Sequence, residues 1–235
     1  MTTLDAAEAD LVDLNGVSGN DGSPLARVVT TLEEDIVFGR LHQSERLIED
    51  DLLERFQTKR HIIRQALVEL ERMGIVERIP NRGSRVRSYS PETIEQLYFV
   101  RELLETNAAR MMPMPVAPAD LEEIKAVQRI HDKAVDDQNL HLVFRANIKF
   151  HRVLFGFCNN PFLANTINDF AFRTHGIRFY SLSDPADLAR ARNEHHEMIA
   201  ALENSERDRL IEVCRKHLVP AKGRYLKMIQ APFVS

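Results

Sequence analysis

The sequence predicts a mainly α chain in two parts, an N-terminal winged helix-turn-helix with a small β-hairpin wing and a C-terminal all-α antiparallel helical bundle. Three observations predict it. Between Asp50 and Met73 two amphipathic runs flank a polar break at Gln57-Thr58. Residues from Ile75 to Arg87 read as strand, turn and strand. From Pro91 onward, long periodic segments are divided by Pro- or Asp-bearing breaks, with no credible strand pair.

In chain order, residues 1–22 mix Asp, Glu, Ala, Asn, Gly and Ser without an apolar period and are expected to form a mobile arm. A helix starts at Ser23 or Pro24. Its Leu25, Val28, Val29, Leu32 and Ile36 form one stripe, and Phe38-Gly39 ends it. Asp50 to Phe56 is a short helix. Lys59 to Met73 is a longer one, in which Ile63, Ala66, Leu67, Leu70 and Met73 recur at helical spacing and Gly74 supplies the left-handed position that closes it. Ile75–Ile79 then reads as a strand, Pro80-Asn81-Arg82-Gly83 as a turn and Ser84–Arg87 as the returning strand. Ser88–Pro91 is a hinge, so the expected division is an arm at 1–22, a winged helix-turn-helix domain at 23–88 and a helical domain at 89–235. Helices are expected at about 91–111, 118–137, 140–158, 161–181, 185–204 and 206–230.

Charge is placed unevenly along this framework. The stretch 55–88 holds nine Lys/Arg against three acids, a net +6, whereas the whole chain is −4. Lys59, Arg60, His61, Arg64 and Gln65 crowd the first two turns of the second helix, on or beside the face opposite its apolar stripe. Cations at a helix N-terminus oppose the macrodipole unless an anion compensates, and a nucleic-acid backbone would. A charge run alone is more often a solvated face; helix, capping glycine and basic hairpin in sequence favour the second helix entering a major groove.

Composition is that of a soluble globular protein, 44% apolar and 28% charged, and no apolar run approaches the ~20 residues that span a bilayer. The acidic N-terminus is unlike a signal peptide, and Cys158 and Cys214 form no spacing pattern, so a cytoplasmic protein without a disulfide framework or membrane partner is expected.

These residues also carry a resemblance. Gly39-Arg40-Leu41, Glu45-Arg46-Leu47, Leu52-Leu53, Arg60, Ile63-Arg64-Gln65-Ala66-Leu67, Leu70, Met73-Gly74-Ile75-Val76 and Pro80-Asn81-Arg82-Gly83-Ser84-Arg85-Val86 together resemble the winged helix-turn-helix of GntR-family transcriptional regulators, across most of residues 25–88. The resemblance implies that Arg60, Arg64 and the wing-tip Gly83 approach DNA, with Lys59, His61 and Arg82 beside them, on a double-stranded and palindromic operator. Arg60 and Arg64 share a face at i, i+4, and an Arg bidentate to guanine is the commonest specific contact. Lys59 stands where the family usually has a capping Ser or Thr, and Ile62 where Pro is frequent, which leaves Thr58 as the candidate cap.

Nine histidines occur, most of them expected to be ordinary. His151, His195 and His217 sit on three different expected helices, and three imidazoles in a bundle can converge on one ion. Arg101-Glu102-Leu103-Leu104-Glu105, Phe150-His151, Asn160-Pro161-Phe162-Leu163, Glu194-His195 and His217-Leu218 resemble the FCD ligand-binding domain of the FadR subfamily, over about 92–228. Many members of that group bind a divalent metal, commonly zinc or nickel, through one Asp and three His. The resemblance therefore implies a metal site of His151, His195 and His217, with Asn147 in the carboxylate position; an amide brings no charge, so affinity should be weakened. His196 is the alternative should the register slip. The resemblance further implies a homodimer and a small carboxylate effector, for which Arg101, Arg173 and Arg178 are the candidate partners. For Arg101 the plain alternative is a salt bridge with Glu105 at i, i+4.

Three functions are thus open. The first is a homodimeric, ligand-responsive DNA-binding repressor or activator, with a repressor favoured, and not an enzyme. The second is a DNA-binding dimer with a ligand-free structural bundle. The third is a metal-dependent helical hydrolase, suggested only by His131-Asp132, around which no further carboxylate or His is suitably spaced and which leaves the basic wing unexplained.

Overall fold

The computed structural model describes residues 23–80, 82–177 and 184–230. The expected arm at 1–22, Asn81 of the wing turn and Arg178 lie outside the described residues. Those described group into two compact units, 23–90 together with 171–177, and 91–170 together with 184–230.

In the first unit, α1 (Pro24–Val37) starts where Ser23 caps it, the Ser23 Oγ accepting from the Ala26 N–H at 3.1 Å. The helix buries Val28, Val29, Leu32 and Ile36, the stripe expected from the sequence. A two-residue strand, β1 (Arg46–Leu47), leads to α2 (Glu49–Phe56). Gln57 then takes a left-handed φ of 47°, which turns the chain sharply into α3 (Arg60–Arg72). Lys59 rather than Thr58 occupies the N-cap of α3, with no side-chain cap bond. Gly74, at φ 77°, stops the helix as its position required.

β2 (Val76–Ile79) and β3 (Gly83–Val86) form the antiparallel wing, with Val76 opposite Val86 and Ile79 opposite Gly83. β1 pairs with the other edge of β3, so the sheet order is β1-β3-β2. Leu47, Val76 and Val86 turn inward onto a core made with Leu32, Leu52, Phe56, Ile63, Ala66, Leu67 and Leu70.

The second unit is helical: α4 (Pro91–Met111), α5 (Pro118–Asp136), α6 (Leu140–Gly156), α7 (Pro161–Arg173), α8 (Pro185–Glu203) and α9 (Arg207–Gln230). No strand occurs among its described residues. Asn139, Asn160 and Asp184 each accept a backbone N–H at the start of α6, α7 and α8, and α5, α7 and α8 open on Pro118, Pro161 and Pro185. α4 packs along α9, α5 against α6 and α8, and α8 against α9. Their shared core includes Ala108, Ile124, Phe150, Leu154, Met198, Leu202 and Leu210.

α7 departs from expectation. Its helix was expected to reach 181; it breaks after Arg173, where the Thr174 hydroxyl donates to the Ala171 carbonyl, and helix resumes over 175–177, while 178–183 lie outside the described residues. Residues 171–177 belong to the first unit. There Phe172 packs on the hydrophobic core, the His175 Nδ1 lies 2.7 Å from Glu33 Oε1 with both side chains buried, and Gly176 sits against Ile36.

Candidate functional site

Two clusters of polar side chains stand out, one on the surface of the first unit and one inside the second. On the first, burial of Ile63, Ala66, Leu67 and Leu70 forces the opposite face of α3 outward. Lys59, Arg60, His61, Arg64 and Gln65 are all exposed there. Arg82 and Gly83 are exposed at the wing tip, where Gly83 has φ 82° and open space around its Cα, so the backbone is free to approach a partner closely.

The two central arginines are held in place by the first turn of α2. Arg60 Nη2 is 2.7 Å from Asp50 Oδ1, and Arg64 Nε is 3.0 Å from Glu49 Oε2. Asp50 holds the Arg60 guanidinium above its ordinary pKa, by hydrogen bond and then by charge. These acids were not among the residues singled out from the sequence, although Glu49-Asp50-Asp51 at a helix start was a visible signal.

In the second unit, α6, α8 and α9 bring His151, His195 and His217 together, their candidate ligand atoms all within 4.8 Å of one another. The ring centroids are 5.1 Å apart for His151 and His195, 5.0 Å for His151 and His217, and 5.1 Å for His195 and His217. An ion bound tetrahedrally about 2.0–2.1 Å from each nitrogen places imidazole centroids roughly 5.2 Å apart, so the triangle has the right size for one metal. The outer nitrogens are also engaged. His217 Nδ1 lies 2.7 Å from Glu194 Oε2, and His195 Nδ1 lies 3.0 Å from Gln128 Oε1, which leaves each Nε2 for an ion. Phe150 stacks on the His195 ring at 3.9 Å, fixing its plane.

Asn147 is half-buried one helical turn before His151. His196 faces elsewhere: it is exposed and pairs with Asp132, 3.1 Å away. His131, buried beside His195 at 5.0 Å between rings, is pushed down to about 4 by burial, so its imidazole is neutral at ordinary pH.

Of the three arginines expected to meet an effector, Arg101 and Arg173 belong to different units. Arg101 is buried on α4 and donates from Nε and Nη2 to Glu105 Oε1 at 2.9 and 2.8 Å, the i, i+4 pair that its spacing allowed. Glu105 in turn is close enough to raise the Cys214 thiol, after burial, and Cys214 stands three residues before His217 on α9. Arg173 belongs to the first unit, where its side chain lies over Gly74 at the end of α3. Arg178 is outside the described residues.

Comparison with known proteins agrees with this division. A family described as bacterial regulatory proteins, gntR family, matches residues 24–86, and the FCD domain matches residues 96–219. The chain is 22% identical over 194 residues to the HTH-type transcriptional repressor RspR of Escherichia coli K12, covering 82% of this chain and 84% of that one. It is 24% identical over 224 residues to the galactonate operon transcriptional repressor of the same organism, covering 86% and 96%. Its fold is similar to that of a transcriptional regulator GntR from Rhodococcus sp. RHA1, with a TM-score of 0.72 at 21% identity over 88% of this chain and 99% of that one. E. coli McbR/YncC gives 0.68, also at 21%, over 88% and 97%. These relatives are transcriptional regulators, not enzymes, and no helix among the described residues is long and apolar enough to cross a membrane. A gntR-type winged helix-turn-helix followed by an FCD domain over 96–219 makes the chain a member of the GntR family of bacterial transcriptional regulators.

Proposed function

We propose that this regulator is an effector-responsive repressor of the FadR subfamily. It binds a palindromic operator as a homodimer through Lys59, Arg60, His61, Arg64, Arg82 and Gly83. In its helical domain it holds a divalent ion, zinc or nickel, and a small carboxylate. Repression is the role named for RspR and for the galactonate regulator, to which the chain is similar. An exposed apolar face supports the dimer: Phe99 and Leu103 lie one turn apart on α4, and Val219 lies on the neighbouring α9.

The observation that carries the metal reading is the triangle of His151, His195 and His217, with ring centroids 5.0–5.1 Å apart and two outer nitrogens already engaged. Asn147 adds at most a neutral oxygen, so binding is weaker than in a centre with a carboxylate ligand. When bound, the ion supplies a Lewis-acidic position for an effector carboxylate. Arg101 is the cationic partner, and an incoming carboxylate competes with Glu105 for it.

Metal analysis of the purified chain beside His151→Ala and His217→Ala tests the ligand set: the wild type should retain metal and both variants lose it, whereas equal content in all three rules the set out. A thermal-shift panel of small organic acids with Zn²⁺ or Ni²⁺ supplied tests the effector, since a ligand selective for the folded state raises the melting temperature by mass action. A panel with no hit favours the alternative, a DNA-binding dimer whose bundle is structural.

A further inference from the structure

With three neutral imidazoles and no carboxylate ligand, the His151–His195–His217 centre carries no negative charge of its own. One buried carboxylate stands directly behind it. Glu194 precedes His195 on α8 and reaches across to α9, where its Oε2 is 2.7 Å from His217 Nδ1. It is 2% exposed, and its other oxygen is 3.8 Å from Arg190 Nε. The partner of His195 is different in kind: Gln128, a neutral amide at 3.0 Å.

Taking the metal reading above as premise, we propose that Glu194 is the positioning and charge-compensating residue of the centre. Its carboxylate accepts the proton on His217 Nδ1, which turns the Nε2 lone pair toward the ion. It also supplies the negative charge that Asn147 does not. A carboxylate behind an imidazole makes the ring a more basic ligand, and such outer partners typically change metal affinity by about 10–100-fold. Gln128 orients His195 without that gain, so Glu194 dominates. A mere interhelical tie between α8 and α9 makes a different prediction: glutamine at 194 still accepts from His217 Nδ1, and metal affinity stays unchanged.

The test uses the full chain, with Zn²⁺ and Ni²⁺ affinities read by competition against a chromophoric chelator. Glu194→Gln should weaken both about 10-fold, and Glu194→Ala by up to about 100-fold, with native circular dichroism. Asn147→Asp should strengthen binding, and its gain should be larger in the Glu194→Gln background than in wild type, since one carboxylate then compensates for the other; equal gains in the two backgrounds would deny Glu194 its charge-compensating part. In the metal-free wild type, long-range ¹H–¹⁵N spectra should place the His217 proton on Nδ1, a readout that needs no variant to fold. A proton on Nε2, or equal affinities in wild type and Glu194→Gln, overturns the inference while leaving the metal reading intact. A wild type that takes up neither ion overturns the metal reading, and the inference falls with it.

Discussion

The two units place the same kinds of residue in opposite ways. On the winged helix, Arg60, Arg64 and Arg82 face outward, with Glu49 and Asp50 as exposed or half-exposed partners. In the helical unit, Arg101, Glu105, Gln128, Glu194 and His195 are buried and paired inside the fold, Arg101 with Glu105, Gln128 with His195 and Glu194 with His217. Outward charge in water contributes little to stability and is available to a polyanion, whereas inward charge is held at fixed geometry and its loss is felt by the fold. The surface proposed for DNA therefore belongs to a fold that tolerates substitution, and the proposed metal site to a network that is also part of the core.

One feature crosses that division. Residues 171–177 come from the C-terminal part of the chain and carry an inward pair, His175 with Glu33, into the first unit. Truncating this pair should have the largest effect on stability: His175→Ala should cost about 3–5 kcal/mol in chemical denaturation, since it strips a buried carboxylate of this partner. A loss below about 1 kcal/mol would mean that the docked segment contributes little.

The next effect is a pH dependence. In metal-free protein the folded chain refuses a proton at His131 until about pH 4, while the unfolded chain accepts one near 6.5. Stability should therefore fall as pH drops through that window and be unaffected by this group above it, by about 3 kcal/mol in full. Comparison of wild type with His131→Leu isolates the contribution, and parallel profiles would contradict it.

Smaller in stability but decisive for binding, Arg60→Ala and Arg64→Ala should each weaken operator binding about 10–100-fold in a gel-shift titration and leave the melting temperature unchanged. A large melting shift would mean that the surface is not separable from the fold. Smallest, Glu49→Gln should tighten binding by less than about tenfold, because one carboxylate no longer competes with the duplex for Arg64. Weaker binding would instead assign Glu49 a positive part in recognition.

The legibility of each unit follows from the same contrast. Helices α1 to α3 were readable because Leu32, Ile63 and Leu70 fall on regular stripes and Gly74 must take positive φ. Strand β1 was not, since two residues cannot show an alternation, and its pairing with Arg85 and Ser84 is fixed only by the folded wing. The break in the expected 161–181 helix at Thr174 was not legible, because Phe172 continues the apolar pattern of the helix while packing on the first unit's core. His151, His195 and His217 could be named from local motifs. Their partners Gln128 and Glu194 could not, because a side-chain contact spanning 67 or 23 residues leaves no local periodicity.

In the proposed function, the exposed positive charge of α3 and the wing neutralises phosphates around a specific site. This is tested most directly by titrating the chain onto its own promoter fragment over a range of salt concentrations. A saturable, sequence-selective complex is expected, with log affinity falling steeply and linearly with log salt, and a shallower slope for Lys59→Ala, which removes one phosphate partner. Binding indifferent to sequence, with a slope that is flat and unchanged in Lys59→Ala, would contradict it.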